Sequence, residues 1–279
     1  MNGELKTNPL EIFPTKEKVQ ERSQWRCIMK RIGLVVVALW FAGWPGMAAT
    51  GLQEEAQQAK QVKDIVVLPR VVHGGDPQSK FCFVKVPPVV AFSDSEVSHH
   101  GQFANRHDWA LSEDGEEPLA FGIDDFFEFS FDVVLMGTPP GTKFEERKEG
   151  GIIITTSVAG EGQYIVNTDA HEVVAFGGPF PFYKFDLSYN SGDVISLGIR
   201  YFRDTDGKRK IIYRANDQQS PALEFTNLEQ GIPGPFLVKG YIQTVINTGI
   251  PRNSAAAGFT NVRWNGKLLT GGTTAADCR

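Results

Sequence analysis

Between Phe127 and Val133 the chain reads Phe-Glu-Phe-Ser-Phe-Asp-Val, and this alternation is the tightest constraint on how it folds. Successive side chains of an extended strand point to opposite faces. Phe127, Phe129, Phe131 and Val133 therefore share one face, the core face, and Glu128, Ser130 and Asp132 share the other. A second constraint follows downstream. Ile195 to Phe202 and Lys210 to Tyr213 are β-rich runs on either side of Asp204-Thr205-Asp206-Gly207, an acid-rich turn ending in glycine, and together they read as a hairpin. From Phe81 onward, short apolar runs alternate with Gly, Pro, Asn and Asp. Strands are expected near 81–86, 126–135, 151–158, 162–167, 172–177, 182–188, 194–203, 209–214, 221–226, 236–246 and 257–265. So many strands with no long helical period predict an all-β, two-sheet antiparallel sandwich.

Composition bounds the class. An apolar content of 41%, with 29 Gly, 16 Pro and 3 Cys in 279 residues, excludes disordered, collagenous and disulfide-dense chains. The length suits one large core, and all-β sandwiches of this size are commonly a single domain. With 28 Lys+Arg against 33 Asp+Glu the net charge is −5, which argues against nucleic acid as a partner because phosphate recognition needs a basic face. No fixed-period repeat and no low-complexity linker interrupts the chain.

Ile32 to Ala49, IGLVVVALWFAGWPGMAA, is led by Met29-Lys30-Arg31 and closes on small residues, so 29–49 is expected to be a signal peptide cleaved after Ala49. A membrane anchor is the alternative, because 18 apolar residues lie at the lower edge of a spanning helix, but Pro45 and the neighbouring glycines weaken it. The polar leader at 1–28 is either a gene-model artefact ahead of a start at Met29 or an extended cytoplasmic segment. Residues 50–80 open with Leu52 to Val67, rich in Ala, Gln, Glu and Lys, and are expected to form a short helix or flexible lead-in to a sandwich at 81–279. The expected location is secreted, periplasmic or on the cell surface, with membrane attachment only if the signal segment stays uncleaved. Cys27 departs with the leader. The remaining Cys82 and Cys278 suggest a disulfide in an exported chain, with two buried thiols as the alternative.

Three segments together resemble the concanavalin A-like, or laminin G-like, jelly-roll family. They are Phe126 to Val133, similar to an early core strand; the hairpin from Val194 to Tyr213; and Ala256 to Trp264, AAGFTNVRW, which resembles the Phe-x-Asn-Val-Arg last strand. The resemblance spans roughly 81–270. It implies a two-sheet jelly roll whose first and last strands are neighbours, which fits a bridge from Cys82 to Cys278. It also implies glycan binding in many members, hydrolysis in some, and Ca²⁺ at the sandwich rim in several.

Because one fold hosts many functions, chemistry has to be sought in particular residues. The segment from Ser98 to Trp109 holds His99, His100, Arg106, His107 and Asp108 and reads as a polar surface loop. Its three histidines also offer metal ligands, although their spacing matches no metal motif. Trp109 is expected to be exposed there as a platform for sugar stacking, with Arg106, His107 and Asp108 as hydrogen-bonding ligand residues. Asp204 and Asp206 form a fragment of a Ca²⁺ loop, and turn chemistry explains them equally. Glu128 is a weak catalytic candidate. Glycoside hydrolysis needs two carboxylates about 5–9 Å apart, whereas Asp124 and Glu128 on one strand are separated by roughly 13 Å, with Phe126 where the hydrolase pattern has its central Asp. The resulting expectation is a non-catalytic, lectin-like domain that binds glycan or extracellular polysaccharide. The alternatives are a glycan-cleaving hydrolase or lyase on the same fold, or a structural or adhesive surface protein that binds other proteins.

Overall fold

A computed structural model describes residues 60–73, 79–97, 104–136, 147–157, 159–225, 235–245 and 253–278. The signal segment, the polar leader, His99 and His100 lie outside these residues. The described strands, in chain order, are β1 (Asp64–Val67), β2 (Val71–His73), β3 (Lys80–Val86), β4 (Val89–Val97), β5 (Ala104–Ser112), β6 (Ala120–Phe121) and β7 (Phe127–Met136). Next come β8 (Lys148–Thr156), β9 (Gly160–Asn167), β10 (Glu172–Phe176), β11 (Tyr183–Ser188), β12 (Val194–Arg203) and β13 (Arg209–Ala215). The last are β14 (Gln218–Gln219), β15 (Leu223–Glu224), β16 (Phe236–Val245), β17 (Asn253–Trp264), β18 (Lys267–Leu268) and β19 (Ala275–Cys278).

The strands form two antiparallel sheets. The nine-stranded sheet runs β1-β5-β16-β8-β9-β10-β11, with β2 also on β5 and β6 on β16. The ten-stranded sheet runs β14-β13-β12-β7-β17-β4-β3-β19, with β15 on β13 and β18 on β17. The chain changes sheet from β2 to β3, β4 to β5, β6 to β7, β7 to β8, β11 to β12, β15 to β16 and β16 to β17, so consecutive strands wrap around one core. This is the all-β, two-sheet antiparallel sandwich that the strand texture predicts.

The alternation at β7 becomes burial: its residues alternate between buried and half-buried from Phe127 to Met136. Phe129 and Phe131 of β7 and Phe259 of β17 meet the Trp109 indole of β5 across the core, with ring centroids 5.5–5.8 Å apart. The indole lies over Gly240 of β16, where an added Cβ would come within 2.2 Å of it. That close approach explains a glycine in the middle of a strand.

Two parts of the fold depart from the sequence expectation. Within the stretch read as a helical or flexible lead-in, β1 and β2 pair with β5, because burying Ile65 opposite Leu111 outweighs the local preference of Ala, Gln and Glu for helix. Lys85 of β3 pins this edge: its Nζ lies 3.2 Å from Asp64 Oδ1 and donates to the Ile65 carbonyl at 2.6 Å and to Thr273 Oγ1 at 2.8 Å. Residues 104–109, read as part of a surface loop, form a strand at the interior of the nine-stranded sheet. At the other edge Cys82 and Cys278 are opposite each other in the β3–β19 ladder and are joined as a disulfide.

Candidate functional site

The strand β5 carries both of the polar clusters that distinguish the nine-stranded sheet. Its odd-numbered residues point into the sandwich. Trp109 is 0% exposed and belongs to the core, so the expectation of an exposed sugar platform is overturned. His107 is also buried, its ring stacked on Phe81 with centroids 4.0 Å apart and its Nε2 2.9 Å from Asp94 Oδ2 of the opposite sheet. Asn105 Nδ2 donates to the same Asp94 oxygen at 2.9 Å and to Ser79 Oγ at 2.8 Å. His107 is thus part of a polar knot between the sheets and does not join Arg106 and Asp108 in one site.

The even-numbered residues point to the outer face, where Arg106 and Asp108 meet groups from β9 and β16. Arg106 donates through Nε to Asp108 Oδ1 and through Nη2 to Oδ2, both at 2.7 Å. Its Nη1 reaches Glu161 Oε2 at 2.5 Å and Nη2 reaches Oε1 at 3.1 Å. Lys239 Nζ adds a bond of 2.9 Å to Asp108 Oδ2 and lies 3.8 Å from Glu161 Oε1. The strands β16 and β8 lie between β5 and β9, a separation of roughly 14 Å in a flat sheet. The extended Arg106 and Glu161 side chains lean toward each other across β16 and β8 and meet on this face. The guanidinium also lies over the Tyr241 ring, 5.5 Å from its centroid.

The charges are held firmly. Burial pushes the Asp108 carboxyl up, but the hydrogen bonds and charges of Arg106 and Lys239 outweigh it and hold Asp108 below the usual carboxylate range. The same balance lowers Glu161, whose side chain is 32% exposed, whereas that of Arg106 is only 6% exposed. Glu149 of β8 behaves in the opposite way. Burial raises its carboxyl, and Arg147, whose Nε lies 2.6 Å from Oε2, offsets only part of that effect. The Tyr241 hydroxyl lies 3.4 Å from Glu149 Oε1, and burial pushes its own pKa well up.

Beside these polar groups is a small apolar cluster, buried from solvent except for Phe176 at its edge. Ile153, Ile165, Val174 and Tyr241 pack together apart from the main core, with half-buried Phe176 against them. Register pairing sets Gln163 beside buried Ile153 and beside Phe176, and Thr155 beside Glu161, with Gln163, Phe176, Thr155 and Glu161 at intermediate exposure. The result is an aromatic ring, an amide, a hydroxyl and a carboxylate on one surface. Beyond them Glu172 accepts from Asn167 Nδ2 at 3.0 Å and pairs with Lys184 at 2.8 Å.

Of the expected ligand residues, Arg106 and Asp108 therefore come together, while His107 and Trp109 point to the opposite face of the strand. Glu149, Glu161, Lys239 and Tyr241 were not anticipated. Their only signal is period-2 patterning: Lys239, Tyr241 and Gln243 alternate with Val238, Gly240 and Ile242 along β16. Glu128 lies on the outer face of the ten-stranded sheet, paired with Arg214, while Asp124 is bound by Arg203 at 2.7 Å and Arg209 at 2.8 Å. The structure gives that pair no shared cleft. Asp204 and Asp206 sit in the β12–β13 turn, where the Lys210 ammonium pairs with both. Asp204 accepts from the Thr205 amide and Asp206 from the Lys208 amide, as turn chemistry requires.

No protein-family model and no curated protein matches the chain. Among solved structures, the chain is similar to alginate lyase AlgAT5 of polysaccharide lyase family 7, with 11% identity and a TM-score of 0.43 over 67% of this chain and 78% of that one. It is similar to the family 7 alginate lyase A1-II′ solved at 1.0 Å, with 12% identity and a TM-score of 0.42 over 63% and 78% of the two chains. It is also similar to the carbohydrate recognition domain of Emp46p in its potassium-bound form, with 11% identity and a TM-score of 0.37 over 64% and 89%. The architecture described above rests on this chain's own strand pairing.

Proposed function

We propose that this is an exported carbohydrate-binding protein that takes a glycan onto the outer face of the nine-stranded sheet, over the partly exposed residues of β8, β9 and β10. The observation that carries the proposal is the network of Arg106, Asp108, Glu161 and Lys239. Two cations and two carboxylates, three of the four groups almost fully buried, are locked in bidentate and shared hydrogen bonds beside an apolar cluster. Buried ion pairs of this kind recover little net stability, because desolvation consumes most of their Coulomb attraction, so their arrangement calls for another explanation. Sugars are recognised by fixed planar polar groups next to an apolar or aromatic surface. Glu161, Gln163, Thr155 and Phe176 supply that combination, and the network fixes Glu161 in place before any ligand arrives.

The full chain, its Glu161→Gln and Phe176→Ala variants, and a Glu128→Gln control on the other sheet should be applied to a broad glycan array. Binding by the full chain that is lost in the first two variants and kept in the control supports this face. Binding lost only in the Glu128→Gln protein would move the site to the ten-stranded sheet, and silence of the unaltered chain would end the carbohydrate reading. Running the array in calcium and again in chelator tests a role for the ion, with persistence in chelator counting against one.

Glycan cleavage is the second reading, and Glu149 is the observation that favours it. Its raised carboxyl beside the Tyr241 hydroxyl is the kind of group that holds a proton for transfer. Release of new sugar ends by the full chain, abolished in Glu149→Gln with binding retained, would support that reading over simple binding.

A further inference from the structure

The charges on the outer face of the nine-stranded sheet identify the class of glycan it can accept, an inference that rests on the binding role proposed above. Along β5, β16, β8, β9, β10 and β11, the described residues that alternate onto this face include four cations, Arg106, Arg147, Lys184 and Lys239. Each of them is already in an ion pair: Arg106 with Asp108 and Glu161, Lys239 with Asp108, Arg147 with Glu149, and Lys184 with Glu172. Asp186, by the same alternation along β11, adds one more carboxylate. Among the described residues, the face therefore carries no surplus of positive charge.

We infer that this face takes an uncharged polysaccharide and rejects polyuronates. A uronate carboxylate needs a cation to replace the water it loses on binding. To obtain Arg106 it would have to displace Glu161 or Asp108, and the displaced carboxylate would then be left unpaired in a partly buried site. The exchange gains no ion pair and costs a second desolvation. It also brings the incoming charge beside carboxylates held ionised by their partners, since Asp108 and Glu161 both stay below the ordinary range. A sugar hydroxyl meets none of these obstacles. It can donate to the Glu161 oxygens without breaking the Arg106 pair, because each carboxylate oxygen accepts more than one hydrogen bond. Gln163 can then donate or accept on one side, and Thr155, whose hydroxyl donates to Glu161 Oε1 at 3.2 Å, can accept on the other, with an apolar sugar face against Phe176.

The extent of the face favours a chain over a single sugar. From Thr155 on β8 to Lys184 on β11, both partly or fully exposed, there are three strand spacings, roughly 14 Å measured along the sheet.

Affinity electrophoresis of the full chain tests the inference, with gels containing neutral polysaccharides (mannan, xylan, mixed-linkage glucan) or polyuronates (alginate, pectate), each at low and raised salt. The expected result is retardation in at least one neutral gel, unchanged by salt, with polyuronate affinity roughly tenfold or more weaker because like charges would be brought together. Glu161→Gln should weaken the neutral interaction and, by leaving Arg106 and Lys239 with one carboxylate fewer, introduce a salt-sensitive retardation by polyuronate. Retardation of the unaltered protein by polyuronate that fades with salt would overturn the charge class while leaving a glycan site standing. Absence of retardation in every gel would overturn the carbohydrate reading itself, so the two failures are distinguishable.

Discussion

The outer faces of the two sheets are built from the same residue types and differ in what surrounds them. On the ten-stranded sheet, Glu128 meets Arg214 with side chains 34% and 27% exposed, and Lys210 meets Asp206 with 19% and 45% exposed. On the nine-stranded sheet, Arg106 meets Asp108 with 6% and 3% exposed. An exposed pair exchanges water for a partner at almost no net gain, whereas a buried pair commits both charges to each other because neither can return to water. The first face tolerates the loss of a partner and the second does not. That difference separates a solvated surface from a site whose geometry is fixed in advance.

The largest expected effect follows directly. Arg106→Ala leaves Asp108 and Glu161 on this face with Lys239 as their shared cation, and removal of one member of a buried pair costs about 3–5 kcal/mol. Denaturant unfolding should show this as a lower midpoint at an unchanged slope. A loss under about 1 kcal/mol would break the contrast between the faces and reduce the network to surface decoration.

Acid should reveal the same asymmetry. The Asp108 and Glu161 carboxyls are lowered in the folded state, so the stability they contribute is complete above their unfolded values and disappears as pH falls through the folded ones. Stability should therefore decline between about pH 5 and pH 2, and Asp108→Asn should both flatten that decline and cost roughly 2 kcal/mol at neutral pH. If the variant titrates as the unaltered protein does, the charges of this face are not what acid unfolds.

Why these residues were hard to find from the sequence is itself physical. The sandwich was legible because alternation such as Phe127 to Val133 records burial on one face, and ten of the eleven expected strand ranges coincide with strands of five or more residues such as β7, β12 and β16. The strand β5 hid because it is buried on both faces and satisfied by charge. Asn-Arg-His-Asp-Trp reads as a solvated loop unless Asp94, Glu161 and Lys239 are known to be within reach, and they lie 11, 55 and 131 residues away from their partners. Arg106 and Asp108, read as residues of a loop, instead share the outer face of a strand. Trp109 was misplaced because polar neighbours in a strand say nothing about the face a side chain takes. The lead-in hid for a different reason: the helix preference of Gln, Glu and Ala around it is local, while the value of Ile65 against Leu111 depends on an edge that exists only in the folded sheet.

Glu149→Gln sharpens the comparison within one face. The folded state raises the Glu149 carboxyl, so its ionised form carries a penalty that is present above the folded value and vanishes below the unfolded one. The neutral amide should therefore leave stability at neutral pH unchanged or improve it by about 1 kcal/mol, in contrast to the loss expected for Asp108→Asn. A destabilisation comparable to that of Asp108→Asn would mean that the bond from Arg147 outweighs the cost of burying the charge.

The smallest effect belongs to the ten-stranded sheet. Glu128→Gln removes a charge that faces solvent and pairs with Arg214, and Arg214 keeps Gln219 Oε1 within 3.3 Å of its Nε. Neither partner is left buried and alone, so nothing accumulates the desolvation penalty that makes Arg106 costly to lose. The change should be about 0.5 kcal/mol or less, and it should shrink further in high salt because solvent screens the pair. A double-mutant cycle of Glu128→Gln with Arg214→Ala, unfolded at low and high salt, measures the coupling directly. A coupling above about 1 kcal/mol that survives salt would make this pair behave like the one on the nine-stranded sheet. The distinction between the two faces would then lie in their shape alone, because burial would no longer predict which charges matter.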